Sequence, residues 1–308
     1  MFRTLRPFWS DAQLLAVSKP AGLLCVPDNT GDVSLVELMG NWLRHATTGA
    51  GYVESVHRID RPVSGVVVLA RTTKAAQRLG RAFATGRARK LYVARTEPLG
   101  ADAPLRAHSR GEAVVWMAHA RGAVRASATR FDGARPARTR WAVRAWLPDG
   151  SAALELEPEG GKRHQLRAAA AVALSAPLLG DVRYGAARPT IEGGAGDGWI
   201  ALHAHALALP HPTATSDVEL HARATRDTGG LLAVNDGAAR WCAAADAADG
   251  AELASARAAG WLCLRAPPPS WWPLPCVGCA DGCAAAVRGL CSNTPDSPNA
   301  PDSAEDGA

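Results

Sequence analysis

Lysine is nearly missing from this chain. Of the 34 basic residues in 308, only Lys19, Lys74, Lys90 and Lys162 are lysines. With abundant alanine and glycine, that bias reads as a preference for GC-rich codons, and it singles out the positions where lysine stands. Long apolar runs are missing too: none approaches the ~20 residues of a membrane-spanning helix, so no membrane partner is expected. The opening Met1–Trp9 holds no apolar signal stretch and leads straight into fold-like sequence, so no leader is expected and the cytoplasm is the expected compartment. Seven cysteines without a secretory leader exclude a disulfide framework and leave reduced thiols or a metal. Residues 9–215 contain no convincing nucleotide-binding or metal motif.

What is present is positive charge in the body of the chain. The formal net charge is +5, but the last seventeen residues hold Asp296, Asp302, Glu305 and Asp306 and no base, so the remainder carries +9. A basic body suits a polyanion, because phosphate neutralisation supplies most sequence-independent affinity for nucleic acid. Arg78, Arg81, Arg87 and Arg89 form one such surface.

Length and patterning predict a large domain over residues 1–225, an Ala/Trp-rich extension over 226–275 packed on it, and a Cys-rich segment with a disordered acidic tail over 276–308. Leu14–Val17 reads as a strand broken by the tight Lys19-Pro20-Ala21-Gly22 turn. Ser34 and Glu37 have capping-box spacing, predicting a helix to about His45 with Leu35, Leu38, Met39, Trp42 and Leu43 on one stripe. A second helix runs from a Thr72 or Thr73 cap to about Phe83. Lys90–Ala94 is a strand with Tyr92 on the face opposite Leu91 and Val93. Residues 96–130 carry no assignable pattern. Ala137–Val143 and Ala152–Glu157 read as antiparallel strands joined at Pro148-Asp149-Gly150, with Glu155, Glu157 and Glu159 on a solvated face. An Ala-rich helix is predicted through about Ala176, a strand over Ile200–Leu209, and further helix from about 228 to 263. His203, His205 and His211 do not place three metal ligands by spacing. Cys276, Cys279, Cys283 and Cys291 suffice for a tetrahedral zinc site, with little around them to build a second shell.

The stretch with the most chemistry is His57-Arg58-Ile59-Asp60-Arg61-Pro62-Val63-Ser64-Gly65, followed by Val66–Ala70, a strand apolar enough to be buried on both faces. It puts Asp60 on a loop at the mouth of a core strand. A surface Arg-Asp-Arg ion cluster is the other reading, with pairs worth only ~0–1 kcal/mol. A second block, Gly160-Gly161-Lys162-Arg163-His164-Gln165-Leu166-Arg167, sets three cations at the start of a helix, a pattern that suits an anion.

Taken in order, these blocks resemble the RluA/RsuA-like family of RNA pseudouridine synthases, in the form without an S4 domain. The Lys19–Gly22 turn, the His57–Gly65 box, Lys90-Leu91-Tyr92, Gly161–Arg167, Pro177–Gly185 and Leu202-His203-Ala204 carry the likeness. The resemblance implies a mixed α/β (α+β) catalytic domain with a largely antiparallel central sheet, flanking helices and an RNA cleft. It implies isomerisation of uridine in rRNA or tRNA by breaking the C1′–N1 bond, turning the base and rejoining it through C5. Asp60 would act at C1′, Tyr92 would pack on the uracil and assist proton removal, and Arg167 would pair with Asp60. Arg58 would fill the space of the flipped base. Lys19, Arg61, Lys90, Lys162, Arg163, His164 and Gln165 would face RNA. The reaction is neither redox nor net hydrolysis, so no cofactor is expected beyond a structural zinc at the cysteine cluster, and the partner is RNA with the protein a monomer. Val63 replaces the family's usual Thr, Lys162 a common Arg, and Ala168-Ala169-Ala170 a stretch usually richer in His and β-branched residues. These departures leave open a rival: an RNA-binding or RNA-chaperone protein on the same fold with reduced or lost catalysis.

Overall fold

The computed structural model describes residues 5–46, 51–120, 123–190, 198–213, 261–266 and 269–270. All of them fall within the unit Met1–Pro273. The elements are β1 (Trp9–Ser10), β2 (Leu14–Lys19), α1 (Leu35–Ala46), β3 (Glu54–Ser55), β4 (Ser64–Ala70), α2 (Thr73–Ala84), β5 (Arg89–Arg95), β6 (Arg110–Ala120), β7 (Ala123–Ser127), β8 (Arg135–Trp146), β9 (Ala152–Pro158), α3 (Gln165–Ala168), β10 (Leu202–Pro210) and β11 (Trp261–Arg265). The strands make one sheet in the order β1-β2-β4-β10-β5-β9-β8-β6-β7, with β3 beside β4 and β11 beside β10. Every pairing is antiparallel except β4 with β10.

The middle of the sheet is covered on both faces, which is why Val66–Ala70 is uninterruptedly apolar. Val67 and Leu69 share a core with Leu35 and Met39 of α1. Val66, Val68 and Ala70 share another with Ala75 and Leu79 of α2. Each fully buried valine or leucine contributes ~1.5–3 kcal/mol, so these few strands anchor the loops at their ends. Both helices start where their caps predict. Ser34 and Glu37 exchange reciprocal bonds, with the Glu37 carboxylate accepting from Ser34 N at 2.8 Å and Ser34 Oγ accepting from Glu37 N at 3.3 Å. Thr72 Oγ1 accepts from Ala75 N at 3.1 Å.

Three expectations are corrected. The unassigned stretch 96–130 supplies β6, β7 and a short 3-10 turn at Pro104–Ala107. The helix expected through Ala176 is a single α turn, α3, followed by a wider π turn at Ala169–Ala173. The end of the helix expected to about 263 is instead strand: residues 261–265 form β11 antiparallel to β10, so the sheet takes a strand from beyond residue 225. The remainder of the expected extension and the whole cysteine cluster lie outside the described residues.

Candidate active site

Asp60 lies between β3 and β4, and its loop is fastened on both sides. Its own carbonyl accepts from Val63 N at 3.0 Å, closing a turn. Arg61 O accepts from Gly22 N at 2.8 Å and from Lys19 Nζ at 3.2 Å, while Arg61 Nε donates to Gly22 O at 3.0 Å. Upstream, Ile59 exchanges contacts with Cys25 Sγ at 3.2 and 3.4 Å. The segment 19–25 is therefore a splint for the Asp60 loop.

The carboxylate opens on a cavity of about 330 Å³ whose wall includes Arg58, Ile59, Val63, Lys90, Tyr92, Gly161, His164 and Arg167. That is at the small end of the ~300–1,000 Å³ typical of ligand sites. Arg167 Nη1 stands 3.5 Å from Asp60 Oδ2, and His164 Nε2 stands 3.7 Å from the same oxygen. Arg167 is almost wholly buried (2 % exposed). Its Nε and Nη2 form a two-point pair with Asp181, at 2.8 and 2.7 Å. His164 Nδ1 lies 3.1 Å from the Tyr184 hydroxyl. His164 adopts φ +60, the left-handed turn that starts α3 and aims its ring at the cavity.

Charge at the site is set by burial. Burial pushes the Tyr92 phenol well above its ordinary value, and the nearby Asp60 and Cys25 add to the shift. Tyr92 is thus held as a neutral phenol. Burial pushes the His164 imidazole down to about 4, although Asp60 pulls the other way. His57, stacked on Phe83 with ring centres 4.5 Å apart and accepting from Val68 N at 2.8 Å, is pushed down to about 3 by burial and then by Lys90. Burial and then Arg265 lower His205 to about 4.

These three imidazoles are neutral in the folded chain and would protonate near 6.5 once unfolded. Their stability contribution is complete above pH 6.5 and is lost as pH falls toward 3–4, by about 1.4 kcal/mol per pH unit per imidazole. The urea midpoint is therefore expected to fall steeply between pH 7 and pH 5. A midpoint unchanged across that interval would refute the assignment.

The other expected site residues divide by burial. Arg58 is exposed at the cavity wall and forms no ion pair or side-chain hydrogen bond among the described residues. Lys90 lines the cavity and bonds Gly160 O. Lys19, expected to face RNA, is fully buried and donates to Pro20 O, Leu23 O and Arg61 O; burial, opposed by Cys25 and Asp60, lowers it to about 8. Gln165 is also buried, its amide spent on Lys162 N, Arg138 O, Thr139 Oγ1 and Glu159 O. Lys162 Nζ ties down the carbonyls of Arg135 and Pro136. Arg61 pairs with Asp32 at 2.8 Å, and Arg163 is exposed. Of the expected phosphate-facing arginines, Arg78 donates to Pro212 O at 2.6 Å and Arg89 pairs with Glu157 at 2.9 Å. Glu155, expected in solvent, is buried and paired with Arg144. His203 bonds Ser64 at 2.8 Å and His211 bonds Asp11 at 2.8 Å, and no three-ligand metal cluster occurs among the described residues.

Asp181 and Tyr184 have no role in the sequence-level reading. The available signal was Arg167 itself: a guanidinium this deep needs a carboxylate of its own, and Gly180-Asp181 is the acid that its motif block offers.

The half-buried Asp60, Tyr92 and the exposed Arg58 thus meet at one cavity of a mixed sheet, and the sequence relatives of the chain are RNA-modifying isomerases of the pseudouridine synthase class. The chain belongs to the RNA pseudouridylate synthase family, whose model matches residues 13–172. Over 208 residues it is 30% identical to an uncharacterized RNA pseudouridine synthase of Zymomonas mobilis, covering 66% of this chain and 87% of that protein. Over 216 residues it is 31% identical to the dual-specificity RNA pseudouridine synthase RluA of Escherichia coli, covering 66% and 86%. The fold is shared with human RNA pseudouridylate synthase domain containing 1 (TM-score 0.53, 22% identity, 70% of this chain and 82% of that one) and domain containing 4 (TM-score 0.52, 23% identity, 66% and 83%). The protein is an RNA pseudouridine synthase. No helix among its described residues is long and apolar enough to cross a membrane.

Proposed function

We propose that the chain isomerises uridine in a folded rRNA or tRNA, with Asp60 acting at C1′. The observation that carries this is the placing of Asp60: one oxygen lies within 3.5–3.7 Å of Arg167 and His164, and the group opens on a cavity of nucleoside scale. Arg167 offsets the cost of keeping a carboxylate ionised away from water. Attack of the Asp60 carboxylate at C1′ forms a C1′–O bond as the bond to N1 breaks; the base turns, C5 bonds to C1′ and displaces the carboxylate, and the C5 proton leaves while N1 gains one. Tyr92, a neutral phenol in the cavity wall, serves as a packing surface for the uracil. Arg58, exposed two residues before Asp60, fills the gap left in the RNA stack. Lys90 and Arg163 meet phosphate. On this reading the enzyme acts as a monomer, and the RNA substrate suits a cytoplasmic setting.

The test is tritium release from RNA labelled at uridine C5. Wild type is expected to release the label and Asp60→Ala to release none above background, with its melting curve unchanged. Equal release from both would sink the assignment.

A further inference from the structure

Asp181 is fully buried, yet it does not reach the cavity; it reaches Arg167. Its own position is fixed. Asp181 N donates to Leu178 O at 3.0 Å, and Asp181 O accepts from Tyr184 N and Ala186 N at 2.9 and 3.1 Å. The preceding Gly180 turns at φ +81, so close to Thr190 Cγ2 and Trp199 O that a Cβ would lie 2.4 and 2.9 Å from them. The same short turn supplies Tyr184, whose hydroxyl holds His164 and whose ring lies 5.1 Å under the Arg167 guanidinium. Both groups facing Asp60 are thus backed by residues 180–185, which lie outside the stretch 13–172 matched by the family model.

The two edges of the guanidinium are used unequally. Arg167 gives its Nε/Nη2 edge to Asp181 at 2.7–2.8 Å and meets Asp60 through Nη1 at 3.5 Å. Two-point guanidinium–carboxylate pairs are short and roughly twice as strong as neutral hydrogen bonds. Were that edge turned to Asp60, each of its oxygens would accept a short charge-assisted hydrogen bond, which lowers its reactivity toward carbon. We propose that Asp181 is a positioning residue of the isomerase, holding one edge of Arg167 so that the guanidinium steadies Asp60 without tying it up. The proposal rests on Asp60 being the group that acts at C1′.

The test uses full-length protein in excess over RNA labelled with tritium at uridine C5 and prepared from cells lacking the gene. It reads the maximal single-turnover rate separately from the enzyme concentration giving half that rate. A misfolded fraction raises the half-saturating concentration, whereas a misplaced Arg167 lowers the maximal rate. Asp181→Asn is expected to lower the maximal rate about 100-fold with half-saturation within about threefold of wild type. Asp181→Glu, which keeps the charge, is expected to fall between the two. If Asp181→Asn does not give a cooperative melt, Asp181→Glu becomes the deciding variant, and a reduction of about tenfold or more at unchanged half-saturation upholds the role. A wild-type maximal rate in whichever variant folds, or failure of both to fold, overturns it. Asp60→Ala separates the two claims. If that variant reacts normally, the catalytic assignment has failed; if it is inactive while Asp181→Asn is normal, the positioning role alone has failed.

Discussion

Gly65→Val is expected to lower the melting temperature by about 10 °C or more, or to leave no folded protein, whereas Gly133→Ala shifts it by only a few degrees. Gly65 stands at φ +119, and a Cβ there would lie 2.2 Å from Ala204 O and 2.6 Å from Ala204 N. Those atoms are backbone, and they belong to the parallel pairing in which Ala204 faces Gly65 and His203 faces Ser64. No rotamer change relieves the clash; the two central strands must separate. A loss of this kind exceeds about 4 kcal/mol in a total of about 5–15. At roughly 2–4 °C per kcal/mol for a domain of this size, that gives the stated shift. Gly133 also has positive φ, +71, but nothing lies within 4 Å of its added Cβ, so backbone strain alone is at stake. Circular-dichroism melts of the two variants decide the matter, and equal shifts would refute the steric argument. The consequence for the site is direct: β4 begins at Ser64, four residues from Asp60, so parting β4 from β10 dismantles the Asp60 loop.

The middle of the sheet is legible in the sequence because burial on both faces leaves no room for polar alternation, and Val66–Ala70 shows that plainly. β6 is illegible for a related reason. Its core side carries Ala113, Val115 and Met117, but its other side carries half-buried Val114, Trp116 and Ala118, so the two faces look alike. The start of β11 reads as helix because four apolar residues in an Ala-rich setting carry no period of their own. At the site, the order of the motif blocks brings Asp60, Tyr92, His164 and Arg167 together correctly. Residue type does not say which cations are in water. Lys19 and Gln165 look like RNA-facing groups on paper, yet their hydrogen bonds run to carbonyls and amides inside the protein. Asp181 is hidden because a pairing across fourteen positions, through a chain reversal, leaves no trace in local spacing.

Val63 raises the possibility of lost chemistry, and its surroundings remove that concern. Its side chain is 2 % exposed and belongs to the main core with Ile59 and Leu202. A hydroxyl at that depth would need a partner, whereas valine needs none. The bond that closes the Asp60 turn comes from the Val63 backbone N–H, which a Thr would supply equally. The Asp60 loop therefore keeps its shape without the hydroxyl, and a chaperone-only reading loses one of the departures that motivated it, leaving Ala168-Ala169-Ala170.

Arg167→Met is expected to abolish tritium release and also to destabilise the fold, by about 3–5 kcal/mol, because it strands Asp181 as a lone buried charge. The double variant Arg167→Met/Asp181→Leu is expected to regain most of that stability, since replacing both members of a buried pair with apolar residues of similar volume is often neutral or better. It should regain no activity. Asp60 then loses the guanidinium that faces it, in a cavity where Tyr92 and His164 are both neutral. Urea unfolding at pH 7.5 measures the first outcome and tritium release the second. Recovery of both together would mean that the pair holds the fold and contributes nothing to the reaction. Recovery of stability alone separates the two uses of one guanidinium: its Nε/Nη2 edge satisfies the interior, and its Nη1 faces the carboxylate proposed to act at C1′.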